Sequence, residues 1–186
     1  MRSLPAAKPL GPWAILLAAL CAWWPLAGMA RGVYLDADEF LGEAFAGAAP
    51  EPQTLWLSAE LKRQAAVILG HAPVQLRVRY WRAGDRTAWV LDEIGKTHPI
   101  TFGVAVERGA IAAIRVLEFR ESRGDEVRHD FFTAQFRGVG LTRDRELQLD
   151  RDIDGISGAT LSVWAMRKVA RLALLLHGAA ISGGEQ

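Results

Sequence analysis

Residues 154–176 read DGISGATLSVWAMRKVARLALLL, and the pattern changes character at Thr160. From there Leu161, Ala165, Val169, Leu172 and Leu176 recur on one stripe, with Arg167, Lys168 and Arg171 opposite, which predicts a long amphipathic helix. Ahead of it, Gly155 and Gly158 supply backbone freedom that other residues lack, so the chain can bend closely around a ligand. Ser157 and Thr160 offer hydroxyls. The first helical turn offers unpaired N–H groups and a partial positive charge, which favours a phosphate at this point. Thr160 therefore has two readings. It caps the helix, the usual role of Ser and Thr at helix starts, or its hydroxyl holds a phosphate ester.

Working back from this helix, the period shifts to two. Residues 75–81 alternate Leu76, Val78 and Tyr80 against Arg77, Arg79 and Trp81, then turn through Ala83-Gly84-Asp85 into a second strand from Thr87. Residues 100–106 and 110–119 predict two further strands joined across Glu107-Arg108-Gly109. Short connections of this kind imply a mainly antiparallel sheet. A charged loop over 120–128 and a short helical stretch with Phe131, Phe132 and Phe136 follow. Upstream, residues 36–46 predict a helix, 55–57 a short strand, and Ser58 the N-cap of a helix ended near Leu69 by Gly70 and Pro73. Helices flank a sheet at both ends, so the expectation is one α+β domain over residues 31–186.

Residues 1–30 differ from the rest. Arg2 and Lys8 precede an apolar stretch running to Trp24, Pro25 breaks it, and Gly28 and Ala30 place small residues before Arg31. This reads as an export signal, or as an uncleaved N-terminal membrane anchor, since about twenty residues just span a bilayer. Leu20 before Cys21 argues against lipoprotein processing. Either way the domain is expected in the periplasm, or on the extracytoplasmic face of the inner membrane.

Of 22 basic residues, setting aside Arg2 and Lys8 leaves 20 against 21 acidic ones. Such balance gives no electrostatic reason to expect nucleic acid as a partner. Cys21 is the only cysteine, so loss of the leader would exclude disulfides, thiolate iron–sulfur ligation and thioether haem together. His71, His98, His129 and His177 show no metal-site spacing. Glu118 and Glu121 could form an acid/base pair, but three positions apart near a strand end they read first as solvated.

The stretch Asp154-Gly155-Ile156-Ser157-Gly158-Ala159-Thr160 resembles the flavinylation motif of the FMN-binding domain family, which includes flavin-carrying subunits of membrane redox complexes. Two further segments are similar to that family. One is Glu121-Ser122-Arg123-Gly124, where Ser122 replaces the commoner threonine. The other is Gln135-Phe136-Arg137-Gly138. The likeness covers roughly residues 98–177, and the untypical 31–97 suggests a small stand-alone member.

The resemblance implies that Thr160 carries FMN through a phosphodiester bond. An FAD:protein FMN transferase would make that bond from FAD with magnesium. Asp154, Gly155, Ser157, Gly158 and Ala159 would then form the recognition segment, with Glu121 a further cofactor-binding residue. Trp81 and Trp89 either stack on the isoalloxazine ring or pack the core. Arg120 and Arg123 either balance a reduced flavin or sit on the surface. No Rossmann glycine fingerprint is present, so direct NADH oxidation is not expected. The function implied is electron relay between a membrane redox protein and an acceptor. The alternative is a periplasmic flavin-dependent reductase with its own small substrate.

Overall fold

Asp36 opens the first helix: its carboxylate accepts the Asp38 N–H at 2.8 Å, and helix α1 (Ala37–Phe45) ends at Ala46 in the left-handed conformation. Ser58 acts in the same way for α2 (Ala59–Leu69), accepting the Leu61 N–H, and Gly70 closes that helix at φ +79. Both helices thus begin and end where the side chains predict. The computed structural model describes residues 32–183, apart from Arg143 and Arg145. The leader or anchor expected over residues 1–30 lies outside the described residues. Among those described, no helix is long and apolar enough to cross a membrane.

The strands are β1 (Gly32–Val33), β2 (Gln53–Trp56), β3 (Arg77–Ala83), β4 (Arg86–Ile94), β5 (Pro99–Glu107) and β6 (Ala110–Phe119). They form one antiparallel sheet in the order β1-β6-β5-β4-β3-β2. The fold is therefore α+β, as the pattern implies. The β5–β6 connection is a tight hairpin with Arg108 at φ +51 and Gly109 at φ +78, the pair of positive angles that a two-residue turn of this hand requires. Strand β1 has no counterpart in the sequence reading. Two residues carry no periodicity, and Gly32 and Val33 are extended because they pair with Phe119 and Glu118.

After β6 come a 3-10 turn (Asp125–Arg128), the short helix α3 (Asp130–Thr133), a second 3-10 turn (Ala134–Phe136) and the long helix α4 (Thr160–Ser182). Phe132 and Phe136 are buried edge to face, with centroids 5.7 Å apart, whereas Phe131 is exposed. Helices α2 and α4 cover one face of the sheet. Met166, Val169, Ala170, Ala173 and Leu176 pack there against Phe102, Val104, Ile114 and Trp89. The helix buries a wider face than the single predicted stripe, and Leu161 is 39% exposed.

Helix α1 covers the other face, through Phe40, Leu41 and Ala44 against Ala88, Ala105 and Leu117. Small residues line that face because the helix comes close. A Cβ on Gly103 would stand 2.7 Å from the Phe40 ring. With both faces covered, β5 buries nearly every residue, which explains its almost continuous apolar sequence.

Candidate functional site

The segment before α4 is held from three directions. Ile153 is buried in the main core. The Asp154 N–H donates to the Gln135 side-chain oxygen at 2.8 Å, so the second 3-10 turn clamps the start of the motif. Gly124 presses on its end: at φ +94, a Cβ there would stand 2.5 Å from Ser162 Oγ and 3.6 Å from Ala159 Cα. The loop 121–124 and the first turn of α4 are thus in direct contact.

Within the motif, the Ala159 N–H donates to the Ile156 carbonyl at 3.1 Å, and Gly158 takes φ +85, a left-handed angle that L side chains rarely adopt. Gly155 does not share that property, so only one of the two glycines is required by the backbone. Around both positions a Cβ would meet nothing within 4 Å, and the motif is open on this side. Asp154, Ser157 and Thr160 are exposed, and their side chains make no hydrogen bond among the described residues.

Ala159, buried, stands at the N-cap position of α4, and no side chain caps the helix. Thr160 is the first helical residue. The capping reading of Thr160 is therefore corrected: its hydroxyl faces solvent at the positive end of a 23-residue helix. Such a terminus favours an anion, and the hydroxyl is free to be esterified.

Glu121 is placed differently. Its carboxylate is buried at the turn between β4 and β5, where one oxygen accepts the N–H groups of Lys96, Thr97 and His98, the last at 2.8 Å. The Thr97 hydroxyl donates to the other oxygen at 3.2 Å. Burial pushes this carboxyl up, but the N–H donors of His98, Thr97 and Lys96 and the Thr97 hydroxyl outweigh it, and the group is held at about 2. A carboxylate this acidic does not serve as a general acid near neutrality. Glu118 in turn is paired with Arg120, whose guanidinium also donates to Pro99 O and Thr101 Oγ1. Glu121 thus fixes the base of the loop that touches α4, and the acid/base pairing with Glu118 is not formed.

Of the aromatic residues singled out in the sequence, Trp89 is fully buried, stacked on Tyr80 at 4.9 Å and donating to Thr87 Oγ1. Trp81 packs half-buried among the residues under α1. Trp89 is therefore a core residue, and Trp81 belongs to the far face of the sheet from α4. The exposed aromatic near the motif is Trp164, one turn beyond Thr160. A tryptophan on the exposed side of α4, four residues past the motif threonine, was the signal available for it.

No curated protein and no solved structure matches the chain significantly. Residues 95–175, which run from the β4–β5 turn through β5, β6, the 121–124 loop and the motif into α4, match the model of the FMN-binding domain. Through that segment the chain is similar to the FMN-binding domain family.

Proposed function

We propose that this protein is an extracytoplasmic electron carrier with FMN joined to Thr160 by a phosphodiester bond. The observation that carries the reading is the state of Thr160, an exposed and unbonded hydroxyl on the first residue of a helix that no side chain caps. A phosphodiester there would sit against the N–H groups of the first turn, where the helix dipole offsets its charge. Asp154, Gly155, Ser157, Gly158 and Ala159 form the open segment that an FAD:protein FMN transferase would recognise. A Cβ at Gly155 or Gly158 would meet nothing within 4 Å, so the motif backbone is accessible there.

When bound, FMN supplies the exchange of one or two electrons. The chain's own task is to hold it: Gln135 and Gly124 fix the motif backbone, while Glu121 orders the loop beneath. A tether suits a compartment where a lost flavin is not replaced, and the basic, then apolar, then small-residue order of residues 1–30 fits export to it. The partners proposed are the transferase and a membrane redox protein that gives or takes electrons.

Intact mass after co-expression with an FAD:protein FMN transferase tests the attachment. Wild type is expected to gain one FMN less one water and to turn yellow, while Thr160→Ala gains nothing. Unmodified mass on both overturns the covalent reading.

A further inference from the structure

The Thr160 side of α4 continues beyond the motif as a partly exposed stripe. Trp164, Arg167, Lys168 and Arg171 follow at intervals of four, seven, eight and eleven residues, so they share its face of the helix. Trp164 is 55% exposed. Beside this stripe lies a cavity of about 380 Å³, lined by Arg151, Asp152 and Ile153 of the segment entering the motif and by Trp164 and Arg167 of the helix. Small-molecule sites fall roughly between 300 and 1,000 Å³, so the space suits a ring system.

The cations around the cavity are not equivalent. Lys168 is paired with Glu93 at 2.9 Å, and Arg171 donates at 2.6 Å to the carbonyls of Leu147 and Glu146. The Arg167 Nε is buried without a hydrogen-bond partner among the described residues, while the side chain lines the cavity. The cavity is therefore lined by an exposed tryptophan, by the Arg151 and Arg167 side chains and by a single carboxylate, Asp152.

We infer that this cavity seats the ring system of the flavin, with Trp164 as the stacking face and the Arg151 and Arg167 side chains beside the ring's polar edge. The inference rests on Thr160 as the attachment residue. The distances agree with it, because Trp164 lies about 6 Å further along the helix axis, within reach of a phosphate and a five-carbon ribityl chain. An aromatic face beside a planar group gives offset stacking, and an indole in that position quenches flavin emission by donating an electron to the excited ring.

The test uses full-length protein loaded by co-expression with the transferase, with loading established by intact mass in each sample. Trp164→Leu is compared with wild type in flavin fluorescence per bound flavin and in visible circular dichroism. Being exposed, Trp164 can be replaced without unfolding the chain. The expected result is equal loading, a rise in emission per bound flavin, and loss of the induced dichroism. Trp164→Phe is expected to retain the dichroism. Equal loading with unchanged emission and dichroism overturns the seat and leaves the attachment intact. Absence of any mass gain on wild type overturns the attachment, and the seat with it.

Discussion

Gly124 and Ser162 meet with no room between them: a Cβ on the glycine would stand 2.5 Å from the serine Oγ. The contact joins the loop after β6 to the first turn of α4, so the position of the motif depends on a residue with no side chain. Gly124→Ala is expected to destabilise the fold by about 1–2 kcal/mol from its left-handed φ alone, with the clash added. Adding Ser162→Ala should recover the clash but not the backbone strain. Urea denaturation of the single and double variants measures both parts.

Thr160→Ala is expected to leave stability within about 0.5 kcal/mol of wild type, because no capping hydrogen bond is lost. Loss of a working threonine cap would cost about 1 kcal/mol. Thermal melts of unmodified protein separate the two values, and the same variant is expected to abolish flavin loading entirely.

Acid should act first through His177. This ring is buried, accepts the Gly109 N–H on Nε2 at 3.2 Å and lies 2.8 Å from Thr87 Oγ1 through Nδ1. The Gly109 contact assigns the proton to Nδ1, and a second proton would set N–H against N–H. Burial and, after it, Arg82 push the group below its usual 6.5, with Asp85 opposing. Since the unfolded chain binds the proton more readily, the stability of this arrangement is complete above pH 6.5 and is lost as pH falls below it. Chemical denaturation on either side of pH 6.5 is expected to show the loss, and His177→Gln to flatten it.

Glu121 sets a second, lower window. Its carboxyl is depressed from 4.5 to about 2, so its contribution is present above pH 4.5 and disappears as pH falls toward 2. Glu121→Gln is expected to cost about 2 kcal/mol at neutral pH, because a neutral amide oxygen accepts the three N–H groups more weakly than a carboxylate oxygen does. The fall in stability across that window should be shallower in this variant than in wild type. Hydrogen exchange of the Lys96, Thr97 and His98 amides offers a local readout, with faster exchange expected in the variant.

Local chemistry was legible where it was sufficient. Ser58 and Gly70 delimit α2 in sequence as in structure, and the alternation around Val78 and Tyr80 places both on the core face of β3. The motif stood out because its residues are contiguous. What stayed hidden arises from pairing across long separations. Strand β1 exists through β6, Gln135 reaches Asp154 from nineteen residues away, and Glu121 is committed to amides some 25 positions earlier. Trp89 shows the same limit: an aromatic residue in a strand reads equally as ligand platform or core, and only the Tyr80 stack and the Thr87 bond decide.

The margins of the sheet carry a consequence for life at high concentration. At one end of β6, Gly32 and Val33 pair with Glu118 and Phe119, and the N–H groups of Tyr34 and Leu35 turn to the Leu117 carbonyl. At the other end Gly138 and Val139 exchange hydrogen bonds with Ile111. The opposite border, β2, is four residues long and follows Pro52, which has no N–H to offer. Neither border presents a long unpaired strand, so a chain folding in a crowded compartment has little with which to recruit a neighbouring copy into a shared sheet.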